Sequence, residues 1–404
     1  PKFFFNCGLH TPPPPPPEPR NKREINLMTS CDDGYSRLLL PQLASIHSSL
    51  REYSVNFYLF HSRISRDNLS LISEYAETLS DVISFREVRI SNSAPYEEMA
   101  RYGGRWCAEA YFSLCAHKYL PQDADRVLYI DTGDITIEGD IAEYYFADFE
   151  GAALHASAMR FAAAETGALR AFTKDDLLHP ERLKDIAKNG VFNSGSYVIN
   201  LEKLRGENVS LERFLSLSRS LCELSGKKTE VYVGDQGLLS AAFCGDIKLF
   251  AYPERTDYWY LPYNFGLWYF LDFDELSYEP RIIHYLGMKG KPWQIRISPE
   301  TLEKHGFQPG RPAKDPMSFF NFSFYLKARP FYEKWWEHCA KTPVYDELSR
   351  GARIYSKAVE DYYLPLYKIF NAQNAVIDKQ NELFQQQQAV LSHAKSLLQK
   401  ANLI

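Results

Sequence analysis

Two pairs of carboxylates stand just beyond apolar segments with strand character. Asp32 and Asp33 follow residues 25–29. Asp131 and Asp134 follow residues 126–130, in the run Tyr129-Ile130-Asp131-Thr132-Gly133-Asp134. A carboxylate at the open end of a buried strand is costly unless it is ionised against a partner, and a divalent cation is the natural one. A hard, oxygen-preferring ion such as Mn2+ or Mg2+ suits these groups and can also hold a diphosphate. The plainer alternative is that they only cap a following helix or turn. Further along, residues 281–287 run through His284 and Gly287 into Lys289-Gly290-Lys291-Pro292-Trp293. A strand ending in His, then Gly, then Lys supplies a metal ligand, a close backbone approach and a cation for phosphate. Standing alone, His284 reads as a satisfied core histidine. Two more polar clusters accompany these: Phe192-Asn193-Ser194-Gly195, leading into strand 196–200, and Gly234-Asp235-Gln236-Gly237, preceding a helical 238–241. No GxGxxG follows the first strand and no GxxxxGK[ST] occurs, so neither a dinucleotide fingerprint nor a P-loop is available.

Elements that can position such residues are legible between them. Apolar strands at 25–29, 55–60, 82–90 and 126–130 alternate with helical patterns at 39–50, 69–79 and 106–120. That rhythm implies an α/β fold, a mostly parallel sheet with helices on both faces, and ligands bind such sheets beyond the carboxyl ends of the strands. Residues 1–23 read as a proline-rich leader, with six consecutive prolines from Pro12 to Pro17. The Phe3-Phe4-Phe5 opening is too short for a signal-peptide core. After about residue 300 the rhythm is lost. Residues 301–365 form an aromatic-rich helical segment, in which 319–336 either packs on the body or meets a membrane surface. From residue 366 the chain reads as one long helix to 404. Apolar pairs recur at 369/370, 376/377, 383/384, 390/391 and 397/398, while Gln373, Gln380, Gln387, Ala394 and Ala401 occupy the alternate seam position. This is an imperfect coiled-coil seam, suited to self-association or partner docking.

Composition narrows the classes. A chain of 404 residues with 45% apolar and 24% charged residues is globular, and its net charge of −5 removes the case for a nucleic-acid binder. Seven single cysteines with no CxxC pair fit a reducing compartment, so the expected location is the cytoplasm, with the inner face of the membrane as the site of any peripheral contact through 319–336. Aromatics reach 15%, a weak hint of sugar handling.

Taken in order over roughly residues 24–295, within a domain of residues 24–300, these motifs resemble glycosyltransferase family 8, the retaining nucleotide-sugar enzymes that include glycogenin and bacterial lipo-oligosaccharide galactosyltransferases. The resemblance implies a GT-A fold, a UDP-sugar donor, a Mn2+-type ion (Mn2+ or Mg2+), a saccharide acceptor and retention of anomeric configuration. It implies that Asp32 binds uracil with Ser30 and Tyr35 beside the base, that Asp131, Asp134 and His284 hold the metal, and that Gly287 and Lys291 bind phosphate. Asn193 and Asp235 are then contacts to donor-sugar hydroxyls, and Gln236 lies opposite the leaving group. With it comes the expectation of glucose or galactose transfer to a surface glycan such as lipopolysaccharide or capsule. Three departures stand out. The family's Asp-x-Asp is here Asp-Thr-Gly-Asp, with Gly133 as the residue able to absorb the insertion. Lys291 and Lys289 lie seven and five residues after His284, where the family has six. Ser113 stands where the family places an arginine. A rival expectation is therefore a catalytically silent GT-A module that self-associates through its C-terminal helix and binds a glycan or partner.

Overall fold

The computed structural model describes residues 23–104, 106–159, 191–250, 263, 265–266, 279–285, 291–296, 299–304 and 322–400. The proline run, Gly287 and Lys289 lie outside them. Ten strands are described: β1 (Arg23–Ser30), β2 (Tyr53–His61), β3 (Ile83–Arg89), β4 (Arg126–Ile130), β5 (Ile135–Ile137), β6 (Leu154–Met159), β7 (Val191–Asn200), β8 (Ile247–Phe250), β9 (Phe265–Gly266) and β10 (Ile282–His284). Seven form one sheet in the order β3-β2-β1-β4-β7-β6-β8. The first four run parallel, β7 is antiparallel to both β4 and β6, and β6 pairs parallel with β8.

Both faces of this sheet are buried, as expected of unbroken apolar runs such as β1. Ile25 and Leu27 pack on one side with Leu39, Leu43 and Ile46 of the helix Leu39–Ser49. Met28 packs on the other with Tyr96, Tyr111 and Phe112. The segment expected as a helix over 106–120 is instead a run of 3-10 turns over Ala108–Lys118, with Cys115 off helical geometry. Nearly every residue in it is buried, so packing from all sides shapes it more than helix propensity does.

A small second sheet decides the site. β10 runs antiparallel to β5, placing His284 opposite Ile135, and parallel to β9. The backbone N–H of Tyr285 donates to the carbonyl of Asp134 at 2.7 Å, so His284 is tied to the aspartate turn by main chain. The helix Phe322–Cys339 then covers both partners: Trp335 Nε1 donates to Gly133 O at 3.3 Å, Trp336 Nε1 to Pro292 O at 3.0 Å, and Tyr285 Oη to Phe331 O at 2.8 Å. Phe331, Tyr332, Trp335 and Trp336 are buried by this packing, so these aromatics face the body and not a membrane. Among the described residues no helix is long and apolar enough to cross a bilayer. The helix Tyr345–Ala358 and a π-type turn, Val359–Tyr363, lead into the single helix Leu364–Lys400.

Candidate active site

Asp131 and Asp134 leave β4 through a tight turn. Gly133 has φ +72°, and a Cβ there would lie 2.6 Å from Leu38 Cβ, so both backbone and space demand glycine. Gly133 thus sits in the turn between β4 and β5 rather than in a bulge of a paired ladder. Asp131 is held on three sides: its N–H donates to Gly195 O at 2.9 Å, Gln42 Nε2 donates to its carbonyl at 2.8 Å, and Tyr129 Oη donates to its Oδ1 at 3.0 Å. Its Oδ2 faces His284 Nε2 at 3.6 Å. Gly195 also makes room for that ring, since a Cβ there would sit 2.1 Å from His284 Cε1. Burial, and then Lys291, push His284 well below the usual histidine range, which leaves a neutral imidazole with a lone pair to offer.

Asp134 Oδ2 is paired with Lys291 Nζ at 2.5 Å, and Lys291 also donates to Tyr285 O at 2.7 Å. The other oxygen, Oδ1, is buried with no hydrogen-bond partner. Burial raises Asp134 despite the lysine. Burial, and then the charges of Asp235 and Asp134, raise Asp131 well above the carboxylate range, although its side chain is 37% exposed to the cleft, which tempers the effect. Asp235, at the start of the helix Gly234–Ala242, is pushed up to about 7, chiefly by burial.

On the sugar side the expected residues also meet. Asn193 lies inside β7, not ahead of a strand beginning at 196 as the sequence suggested, because pairing of Phe192 with Ala158 extends the ladder. Its Nδ2 donates to Gln236 Oε1 at 3.3 Å, and its Oδ1 accepts from Gly195 N–H at 2.9 Å. Ser113 is buried beneath and accepts from Tyr197 Oη at 2.8 Å, so the position lacking arginine is a neutral polar floor.

On the nucleotide side, Asp32 and Asp33 divide their work. Asp33 accepts from Ser65 N–H (2.8 Å), Ser65 Oγ (2.9 Å) and Asn68 Nδ2 (2.7 Å), bonds that hold it below the usual carboxylate range, and it is structural. Asp32 caps the short helix Asp33–Ser36, accepting from Tyr35 N–H at 3.0 Å. Tyr35 stays exposed, its ring edge-on to Trp293 at 6.2 Å. Partial burial of the ring, and then the charges of Asp134, Asp32 and Asp131, push its phenol up to about 12. Ser30 is buried at the end of β1, where its carbonyl accepts from Thr132 Oγ1 at 3.1 Å. Tyr263 is core, its ring stacked on Tyr144 with centroids 4.9 Å apart.

A family model for glycosyl transferase family 8 matches residues 26–296. The chain belongs to that family. Among solved structures it resembles the galactosyltransferase LgtC in complex with donor and acceptor sugar analogs, at 19% identity over 67% of this chain and 89% of LgtC, with TM-score 0.50. An active-site mutant of LgtC matches at 17% identity over 81% and 100%, with TM-score 0.54. The bifunctional glycosyltransferase WbbM matches at 16% identity over 82% of this chain and 52% of its own, with TM-score 0.54. No curated protein matches. The fold is accordingly GT-A-like, and the chain is a glycosyltransferase.

Within this family 8 chain, the two spacing departures meet each other. Asp134, which follows Gly133, and Lys291, seven residues after His284, pair with each other. Among the described residues no three ligating side chains form a finished metal cluster. The donor chemistry nevertheless fits a hard divalent ion. Asp131 Oδ2 and His284 Nε2 lie close enough to share one, Asp134 Oδ1 is an unpartnered buried oxygen, and Lys291 offsets only one of the three carboxylates, Asp131, Asp134 and Asp235. Sequence reasoning missed Tyr129, Gln42, Trp335 and Trp336, which fix these groups. Only the adjacent tryptophans left a signal, since two indole N–H groups in a dense aromatic run need acceptors.

Proposed function

We propose that this glycosyltransferase moves a hexose, glucose or galactose, from a UDP-sugar to a hydroxyl of a saccharide acceptor, with retention and with dependence on Mn2+ or Mg2+. The acceptor belongs to a surface glycan such as lipopolysaccharide or capsule, and the reaction takes place in the cytoplasm. What supports the reading most is the convergence of Asp131, Asp134, His284 and Lys291 with Asn193, Asp235 and Gln236 around one cleft end of the sheet. Asp32, with Ser30 and Tyr35, takes the uracil. Asp131, Asp134 and His284 would hold the ion, which would supply Lewis acidity to the diphosphate. Lys291 turns from Asp134 to the phosphates, beside the backbone of Gly287. Asn193 and Asp235 hold donor hydroxyls, and the Gln236 amide oxygen faces the developing positive charge at the anomeric carbon. The bond from the anomeric carbon to the phosphate oxygen breaks as the acceptor oxygen attacks from the same face. The acceptor proton passes to the departing phosphate oxygen.

The test is proton NMR of the product from an α-linked UDP-hexose. An α product supports the account, and a β product contradicts it. One observation favours the silent-module reading: Lys291 already occupies Asp134, while Ser113 is spent on Tyr197. Purified protein that binds UDP yet turns over no UDP-hexose decides for that reading.

A further inference from the structure

The helix Leu364–Lys400 spans 37 residues and leaves the body: every residue from 375 to 400 is exposed. Its sequence is rich in Gln and Asn, and a lone helix of ordinary propensity is marginal in water, so it needs a packed face. That face is present. Ile369 and the pairs 376/377, 383/384, 390/391 and 397/398 stand 41–68% exposed in one stripe. The seven-residue period, held without interruption, matches a left-handed supercoil. We infer that the stripe is covered by the same helix of a second copy, in parallel and in register.

The choice of occupant rests on what lies along the middle of the stripe. Gln373, Gln380 and Gln387, and then Ala394, each follow an apolar pair by three residues, one turn on and central to it. A glutamine amide carries both donor and acceptor, so it is satisfied by an identical amide opposite and left unpaired against alanine. Parallel pairing sets Gln on Gln and Ala on Ala. Antiparallel pairing over the full length sets Gln373 against Ala394. A seam of this length covers roughly 800 Å² on each copy, the size of a stable interface. Few charges interrupt it, and none opposes in-register pairing along the stripe itself. The helix Tyr345–Ala358 fixes the seam to the body through Arg37 with Glu347 and through Arg296 N–H to Ser356 Oγ at 2.8 Å, so both bodies lie at one end of the dimer.

The experiment is light scattering on the full-length chain at micromolar concentration, with Leu383→Glu/Leu391→Glu as the breaking variant and Ala394→Cys as the orientation probe. Twice the chain mass for wild type, the single chain mass for the double variant with UDP binding and the folded spectrum retained, and a covalent dimer of Ala394→Cys beyond the wild-type background under mild oxidation are expected. A monomeric wild type, which would assign the stripe to another protein or a lipid surface, overturns the inference. So does a dimer that survives the double variant. A dimer that Ala394→Cys fails to lock contradicts the parallel register, since antiparallel copies hold those sulfurs roughly 30 Å apart.

Discussion

The two halves of the cleft are built on opposite principles. In the metal-and-phosphate half, charged groups are placed by main chain: β5 pairs with β10, Tyr285 N–H reaches Asp134 O, and Gly195 O holds Asp131. Asp131 and Asp134 are both raised by burial and have one lysine between them. In the sugar half, neutral amides hold one another, Asn193 on Gln236, with Gly195 N–H on Asn193. Asp235, next to Gln236 in the chain and pushed up to about 7 chiefly by burial, keeps one buried oxygen without a partner. On the proposed reading, binding at the nucleotide end waits on a counter-ion, while the sugar end is held by neutral amides beforehand.

Substitutions should separate the halves. Asp131→Asn has the largest expected effect, about a thousandfold loss of kcat/KM or more, roughly 4 kcal/mol, with Mn2+ affinity lost alongside. Retained Mn2+ affinity would break the division. Gln236→Ala comes next, about a hundredfold in kcat with UDP affinity unchanged, as befits a group that acts on developing charge. Steady-state kinetics beside UDP titration reads both. Gly133→Ala strains a residue at φ +72° and drives Cβ into Leu38, so thermal unfolding should fall by about 1–3 kcal/mol with weaker metal binding. A normal melting temperature would place the turn's rigidity elsewhere.

The smallest effect is the acid limb of stability. Glu138, just beyond β5, pairs with His338 at 3.1 Å across to the helix Phe322–Cys339. Burial works to raise Glu138, but the His338 hydrogen bond and charge outweigh it and hold it below the usual glutamate range. A depressed carboxylate contributes stability that is present above its unfolded pKa and is lost as pH falls through the lower folded value. Glu138→Gln should therefore flatten the stability profile below about pH 4.5, its unfolded pKa, and urea titrations across that window check it. An unchanged slope sinks the assignment.

Strands β1, β2 and β4 were legible as largely buried, mostly apolar runs, and β3, half exposed, by its place in the alternating pattern; the carboxylates stand just beyond the ends of β1 and β4. Asp131, Asp134 and His284 stood out as metal-type ligands by residue type and place, whereas the sugar-side roles of Asn193, Asp235 and Gln236 came only with the resemblance to family 8. The division between Asp32 and Asp33 was not legible, since adjacent identical residues differ only through Ser65 and Asn68 across the fold. Nor was the Lys291–Asp134 pair, whose partners lie 157 residues apart in the chain and meet only in space. The 3-10 segment failed for the converse reason: its pattern is helical, but burial on every side overrides propensity.

The central claim is that the carboxylate-rich half needs a divalent ion before it holds the nucleotide. Calorimetric titration of UDP into the full-length protein, with and without Mn2+, on wild type and Asp134→Ala tests it most directly. The account predicts binding that appears with Mn2+ and vanishes in the variant. UDP binding of equal strength without the ion, or none with it, would contradict it, the former pointing to Lys291 as the cation that serves in its place.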